Sequence, residues 1–324
     1  MHLSTSNSEE AARENSASRR WVVVLLLLIA LFMGTVELGS RLVFTRTSRI
    51  AQRVDREFSI ARSIGRGVNH DKGLLLVGNS LLGASVEPNR LRQAMPAGWD
   101  LAYLQVEDTS YMDWYFGLRR LFAEGARPQV VAILLSPSQT VATHVRGEFF
   151  AHYLMRLEDL PAVTRSLDLH RTNATSMVAG NISHFYGVRA EIRKWLLLSL
   201  MPGFQTVAST LTRHPRRDVD DNAIRSIARG RLQLMNELVS RHNARLVWIL
   251  PALLEVPDGT NGVLEAALSA RVQVLIPIPS GSLPASDYRD GFHLSEPGKQ
   301  KYTAALVPLI QQSLTRPELA RIQP

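Results

Sequence analysis

Cysteine is absent from the 324 residues. Its absence excludes disulfides, thiolate metal sites and a cysteine nucleophile, and it is compatible with an exported protein. Acidic residues are in the minority: 29 Asp and Glu stand against 37 Lys and Arg, for a formal net charge of +8. Such an excess fits nucleic acid, anionic lipid or an acidic polymer. No nucleic-acid motif is present, and the basic residues are scattered or gathered near the apolar N-terminal segment, so anionic lipid or an acidic glycan is the better partner. His144, His152, His170 and His184 show no His-x-x-x-His spacing and no grouped carboxylates, so they read as surface or loop histidines and no metal is expected. No stretch has the form of a coenzyme A or nucleotide site, and no cofactor is expected.

The chain does hold one long hydrophobic run. Residues 1–20 are rich in Ser, Asn, Glu and Arg and read as a disordered tail. From Trp21 to Val36 no residue is charged, and extension to Phe44 gives a helix able to cross about 30 Å of hydrocarbon. No clear Ala-x-Ala site follows, so 21–44 is read as an uncleaved anchor rather than a signal peptide. Arg13, Arg19 and Arg20 precede it while Arg41, Arg46, Arg49 and Arg53 follow, so charge alone does not orient it. Glu37 and Arg41, four residues apart, mark its outer end. Residues 45–70 read as an Arg-rich amphipathic connector lying on anionic headgroups. The main domain is expected over 71–314, with a helical insertion over 141–243 and a tail over 315–324.

Within that domain the organising stretch is Leu74-Leu75-Leu76-Val77-Gly78-Asn79-Ser80. A continuous apolar run ending in a small-residue turn predicts a buried parallel strand that delivers Ser80 at its carboxyl end, where open α/β sheets place their chemistry. Near the other end, Asp290-Gly291-Phe292-His293 sets an acid three residues before an imidazole, ahead of a helix beginning near Glu296. Ser80 needs a base to take its proton, His293 is that base, and Asp290 orients it, with Asp287 as the rival acid.

Gly78-Asn79-Ser80 and Asp290-x-x-His293 together resemble the first and last blocks of the SGNH/GDSL hydrolase superfamily. The resemblance covers about 72–314 and implies a flavodoxin-like three-layer α/β/α fold around a central parallel five-stranded sheet. Here that fold would carry the long helical insertion and the N-terminal transmembrane helix. Further strands are predicted at Asp100–Val106, Pro128–Leu135, Arg245–Pro251 and Val272–Pro277. Two middle blocks depart from the family pattern. Thr109-Ser110 stands where the family has a glycine of the oxyanion hole, and Ser136-Pro137-Ser138-Gln139 stands where it has Gly-x-Asn-Asp. Asn79, Thr109, Ser110, Ser138 and Gln139 are therefore the candidate oxyanion or substrate-binding residues, beside the backbone N–H of Ser80.

The expected activity is acyl transfer through acyl-Ser80, to water (esterase) or to a sugar hydroxyl (O-acyltransferase). By analogy with anchored members of the superfamily, the substrate is an exported polysaccharide or cell-wall glycan. The site then faces the periplasm from the bacterial inner membrane, and a transferase needs a membrane acyl-carrier partner. A non-catalytic scaffold or glycan-binding subunit of a polysaccharide assembly complex, and a lipid esterase, are the alternatives. The apolar stretch Trp195–Met201 is too short to span a bilayer, and core packing is its expected role.

Overall fold

The structure is a computed structural model and describes residues 6–44, 46, 48–66, 72–201 and 220–315. The N-terminal part comprises α1 (Ser6–Gly39), a π-helical segment over Ser40–Phe44, and α2 (Arg49–Ser63). The first half of the domain runs β1 (Lys72–Gly78), α3 (Ser80–Ser85), α4 (Pro88–Gln93), β2 (Trp99–Gln105), α5 (Tyr111–Ala123) and β3 (Val130–Leu134). Then come α6 (Pro137–Val141), α7 (Gly147–Tyr153), α8 (Leu160–Ser166), α9 (Arg171–Ile182) and α10 (His184–Leu200). The chain closes with α11 (Asp221–Arg241), β4 (Arg245–Ile249), α12 (Thr260–Ala270), β5 (Gln273–Leu275) and α13 (Glu296–Thr315).

All four strand pairings are parallel, in the order β2-β1-β3-β4-β5. A parallel sheet is covered on both faces, so its strands are apolar throughout rather than alternating. In β1 every residue from Gly73 to Gly78 is buried, and in β3 all five residues are. One face presents Leu74, Leu76, Ala132, Leu134, Val247 and Ile249 to Tyr302, Leu306 and Ile310 of α13. The opposite face presents Leu75, Val77, Val131, Ile133 and Trp248 to residues of α2, α5, α11 and α12. The chain order reverses between β1 and β3, and at such a switch point a crevice opens outside the carboxyl ends of the strands. Ser80 emerges there.

Three parts of the N-terminal reading change. Residues 6–20, expected as a disordered tail, continue α1. Once the apolar segment is helical, adding residues costs little, and Glu9, Glu10, Ala11 and Ala12 are good helix formers. The apolar stretch itself is Arg19–Leu42, 24 residues of mean hydropathy 2.5 with none of its most apolar window buried, long and apolar enough to cross a membrane.

The connector expected over 45–70 is instead part of the fold. Its helix α2 is amphipathic, but Ala51, Val54, Phe58 and Ala61 turn into the core against β2 rather than toward headgroups. The folded domain therefore starts near Ser48, whose hydroxyl caps α2 by accepting from the Ala51 N–H at 3.3 Å. Of the insertion expected over 141–243, the described residues form the helices α7 to α11. Within it the stop at Pro202-Gly203 and the basic loop Arg213–Asp218 lie outside the described residues.

Candidate active site

The turn after β1 is built around two close approaches. A Cβ on Gly78 would stand 2.7 Å from the Leu134 carbonyl and 2.8 Å from Leu82 Cβ, so only glycine fits between β3 and α3. Asn79 is fully buried and caps α3: its Oδ1 accepts from the Leu81 N–H at 2.9 Å, and its amide donates to the Thr109 carbonyl at 2.8 Å. Both ends of that side chain are thus used to hold the turn. Ser80 occupies the first helical position, where the backbone N–H has no intrahelical acceptor.

The histidine arrives on a loop closed by backbone bonds. The Arg289 N–H donates to the His293 carbonyl at 2.8 Å and the Ser295 N–H to the Asp287 carbonyl at 2.7 Å. Gly291, between acid and histidine, takes φ +80°, which favours glycine. His293 Nε2 lies 2.9 Å from Ser80 Oγ, and Nδ1 lies 2.8 Å from Asp290 Oδ2. Asp290 Oδ1 also accepts from the backbone N–H groups of His293 at 2.7 Å and Phe292 at 3.0 Å. Burial pushes the Asp290 carboxyl up. The His293 backbone and ring and the Phe292 N–H outweigh it and hold the carboxyl below its ordinary value. Three residues from the two ends of the domain thus form one hydrogen-bonded relay in the order acid, imidazole, hydroxyl.

The rival acid is committed elsewhere. Asp287 is buried and its Oδ2 accepts from Lys301 Nζ at 2.6 Å. Thr109 is buried too, and its hydroxyl donates to the Val106 carbonyl at 2.7 Å. Ser110 begins α5, with its N–H on Asp113 Oδ2 at 2.8 Å and its hydroxyl on the His144 carbonyl at 2.7 Å. Burial pushes the Asp113 carboxyl up to about 7, against bonds from the Arg146 and Ser110 N–H groups. At the third strand, Gln139 Oε1 accepts from the Ser136 N–H at 3.0 Å while Ser136 Oγ accepts from the Gln139 N–H at 3.3 Å, a reciprocal cap of α6. Ser138 Oγ lies 3.1 Å from Ser136 Oγ. Asn79, Thr109, Ser110 and the Oε1 of Gln139 therefore serve caps and turns in this structure, while Ser138 is exposed. The Ser80 N–H is the oxyanion donor with a geometric case.

Sequence reasoning missed the residues that couple the two halves of the site. Thr303, fully buried on α13, donates to the Ser85 carbonyl at 3.2 Å and accepts from the Glu87 N–H at 3.0 Å, tying the helix after His293 to the end of α3. Tyr302 donates to the Leu250 carbonyl at 2.7 Å. A Cβ on Gly298 would stand 2.3 Å from the Asp287 carbonyl, so the start of α13 packs directly under the loop. The available signal was the spacing of Gly298, Tyr302, Leu306 and Ile310 along one helical face.

No protein-family model matches the chain, and no curated protein matches it. Solved structures do. An acetylxylan esterase from Geobacillus stearothermophilus, in a catalytic-mutant form, is 11% identical, with a TM-score of 0.37 over 74% of this chain and 94% of that one. A GDSL-like lipase from Bacteroides thetaiotaomicron is 11% identical, with a TM-score of 0.37 over 81% and 97%. The protein TesA is 10% identical, with a TM-score of 0.37 over 74% and 98%. These likenesses are distant, and the functional reading rests on Ser80, His293 and Asp290 instead.

Proposed function

We propose that the chain is a serine acyl-ester hydrolase or O-acyltransferase of the SGNH/GDSL kind, anchored by α1 and acting on an exported glycan. The observation that carries this reading is the unbroken line Asp290–His293–Ser80 at the switch point of a parallel sheet. With Nδ1 facing an ionised Asp290, the neutral imidazole carries its proton on Nδ1 and presents a lone pair on Nε2. Nε2 takes the Ser80 proton as Oγ attacks the ester carbonyl. The carbonyl oxygen becomes an oxyanion facing the Ser80 N–H, and Asp290 stabilises the imidazolium. Nε2–H then protonates the leaving alkoxide and leaves acyl-Ser80. Water or a sugar hydroxyl attacks the acyl carbon next and gives its proton to Nε2; the second tetrahedral intermediate collapses, Nε2–H returns the proton to Ser80 Oγ, and the free acid or the new sugar ester departs.

The apolar helix supports membrane attachment and the open site a polymeric substrate; the exported glycan, the periplasmic face of the inner membrane and, for a transferase, a membrane acyl-carrier partner are carried over by analogy with anchored members of the superfamily. The Asp290 side chain is 54% exposed and that of His293 26%, a shallow setting that suits a polymer better than a free acyl chain. A cavity of about 300 Å³ lies in the helical insertion beside His144, Glu148 and Met177. Another of about 250 Å³ lies at the amino end of β2 beside Trp99 and Arg92. Neither is lined by Ser80, Asp290 or His293.

A second reading, a non-catalytic scaffold with the same fold, draws on one observation. At the middle blocks Gln139 Oε1 and Asp113 Oδ2 are engaged in capping, and no glycine or asparagine stands where the family has its oxyanion donors. The deciding experiment is intact-protein mass of the full chain in detergent with a chromogenic acetyl ester, beside Ser80→Ala. A transient acetyl adduct on Ser80 that the variant lacks supports the enzyme. A folded protein with neither adduct nor turnover supports the scaffold.

A further inference from the structure

The helix α10 is rooted on the apolar helix α1 and then leaves the protein. Glu37 binds its first turn: the carboxylate accepts from the Ser183 hydroxyl at 2.8 Å, the His184 N–H at 2.9 Å and the Phe185 N–H at 3.1 Å. Ser40 Oγ lies 3.1 Å from His184 Nδ1. The root is well packed, with His184, Gly187 and Val188 buried.

Beyond Ile192 the helix is exposed almost all round, and its sequence there turns apolar: Trp195 is 39% exposed, Leu198 44%, Leu200 73% and Met201 51%. The core packing expected of this stretch is not what the structure shows. A helix end that is apolar on every face is stable only when something other than water covers it.

The position of the root says what that cover is. Glu37 lies five residues inside the end of the stretch Arg19–Leu42, or about 8 Å along a helix. The base of α10 therefore sits at the level where the span meets the headgroups. Leu38 of α1 and Ile182, just before the root, are likewise exposed apolar side chains, at 58% and 65%. Arg193 and Lys194, both exposed, immediately precede the apolar end, where long basic side chains reach anionic headgroups while their stems stay in apolar surroundings.

We infer that the protruding end of α10, Trp195 to Met201, is immersed in the bilayer interface on the domain's side, as a second, in-plane membrane contact. This rests on the reading of α1 as a membrane span. Two contacts fix the tilt of the domain, which a single span leaves free to swivel. The catalytic face is then held at one orientation to the lipid.

Because the chain has no cysteine, one introduced thiol labels one position. The full chain is reconstituted in vesicles of neutral and anionic phospholipid with the environment-sensitive dye NBD at Leu198→Cys. Controls carry it at Leu28→Cys within the span and Leu268→Cys on the exposed side of α12. The expected result is a blue-shifted Leu198→Cys emission, protected from aqueous iodide and quenched most by lipid with the doxyl group near the headgroups, whereas Leu28→Cys is quenched most by lipid with the doxyl group deep in the chains. Leu268→Cys is quenched by iodide and by neither lipid. If Leu28→Cys meets lipid while Leu198→Cys is quenched by iodide, the inference fails and the anchor stands. If both are quenched by iodide, the anchor reading fails and the inference with it. A Leu198→Cys label shielded from both quenchers means that protein covers the helix end, and this too overturns the inference.

Discussion

Asp287 Oδ2 accepts a hydrogen bond from Lys301 Nζ at 2.6 Å, while Asp290 Oδ2 lies 2.8 Å from His293 Nδ1. Asp287 is thus paired with a cation below the loop, and Asp290 faces the imidazole. The two acids should separate in mutation. Asp290→Asn lowers kcat on a chromogenic acetyl ester by on the order of 10³–10⁴, the scale set by loss of the orienting acid of a triad. Asp287→Asn lowers the melting temperature with a far smaller loss of kcat. Steady-state kinetics and thermal unfolding of both variants check this, and the reverse ranking would make Asp287 the catalytic acid.

The same geometry fixes the sign of a pH effect. The folded Asp290 carboxyl sits below its ordinary value, so as pH falls the unfolded chain takes up that proton first. The group's contribution to stability is complete above the ordinary carboxylate value and is lost as pH falls through it toward the lowered folded value. Solvent exposure of the side chain keeps the effect small. Melting temperatures measured downward from about pH 5 should therefore fall less steeply for Asp290→Asn than for the parent.

Gly78 leaves no room for a methyl group between the Leu134 carbonyl and Leu82. Gly78→Ala should cost about 1–3 kcal/mol of stability, as overpacking of a filled site does. It should also lower kcat/KM, because the strand end that shifts is the one carrying Ser80. Denaturant unfolding and ester kinetics on one preparation test both.

The strands and the three residues that meet at the end of β1 each leave a local trace: continuous apolar runs for a sheet buried on both faces, and a small-residue turn or an acid-to-histidine spacing for Ser80, Asp290 and His293. What covers an amphipathic helix leaves no such trace. The Ala51, Val54, Phe58 and Ala61 face of α2 has the same period whether lipid or a sheet lies under it, and the sheet proved to be the cover. The middle-block residues are ambiguous for a related reason. Thr109, Ser110, Ser138 and Gln139 are the polar types that suit an oxyanion hole, and the same types cap helices. Partners such as Asp113, Ser136 and the His144 carbonyl become visible only in three dimensions.

Magnitude separates those two roles at Gln139. Removal of an oxyanion donor costs about 10²–10³ in rate, whereas loss of a helix cap costs about 0.5–2 kcal/mol of stability. Since Gln139 Oε1 closes the cap of α6, Gln139→Ala should lower the melting temperature and leave kcat on the acetyl ester within about threefold of the parent, well short of a lost donor. A hundredfold fall in kcat with unchanged stability would instead return Gln139 to the oxyanion hole.

The bond from Glu37 to the start of α10 joins groups 146 or more residues apart, and it converts a tether into a joint. Glu37→Ala strips acceptors from the Ser183 hydroxyl and from two N–H groups of the first turn, so that turn should open more often. Amide exchange of His184 to Gly187 should then speed up by about 2- to 30-fold, corresponding to a lost cap of about 0.5–2 kcal/mol. The catalytic loop has no bond to Glu37 among the described residues, so turnover of a small soluble ester should stay at the parent rate. Uniform acceleration of exchange across β1 and β3 would mean that Glu37 supports the whole fold rather than the joint.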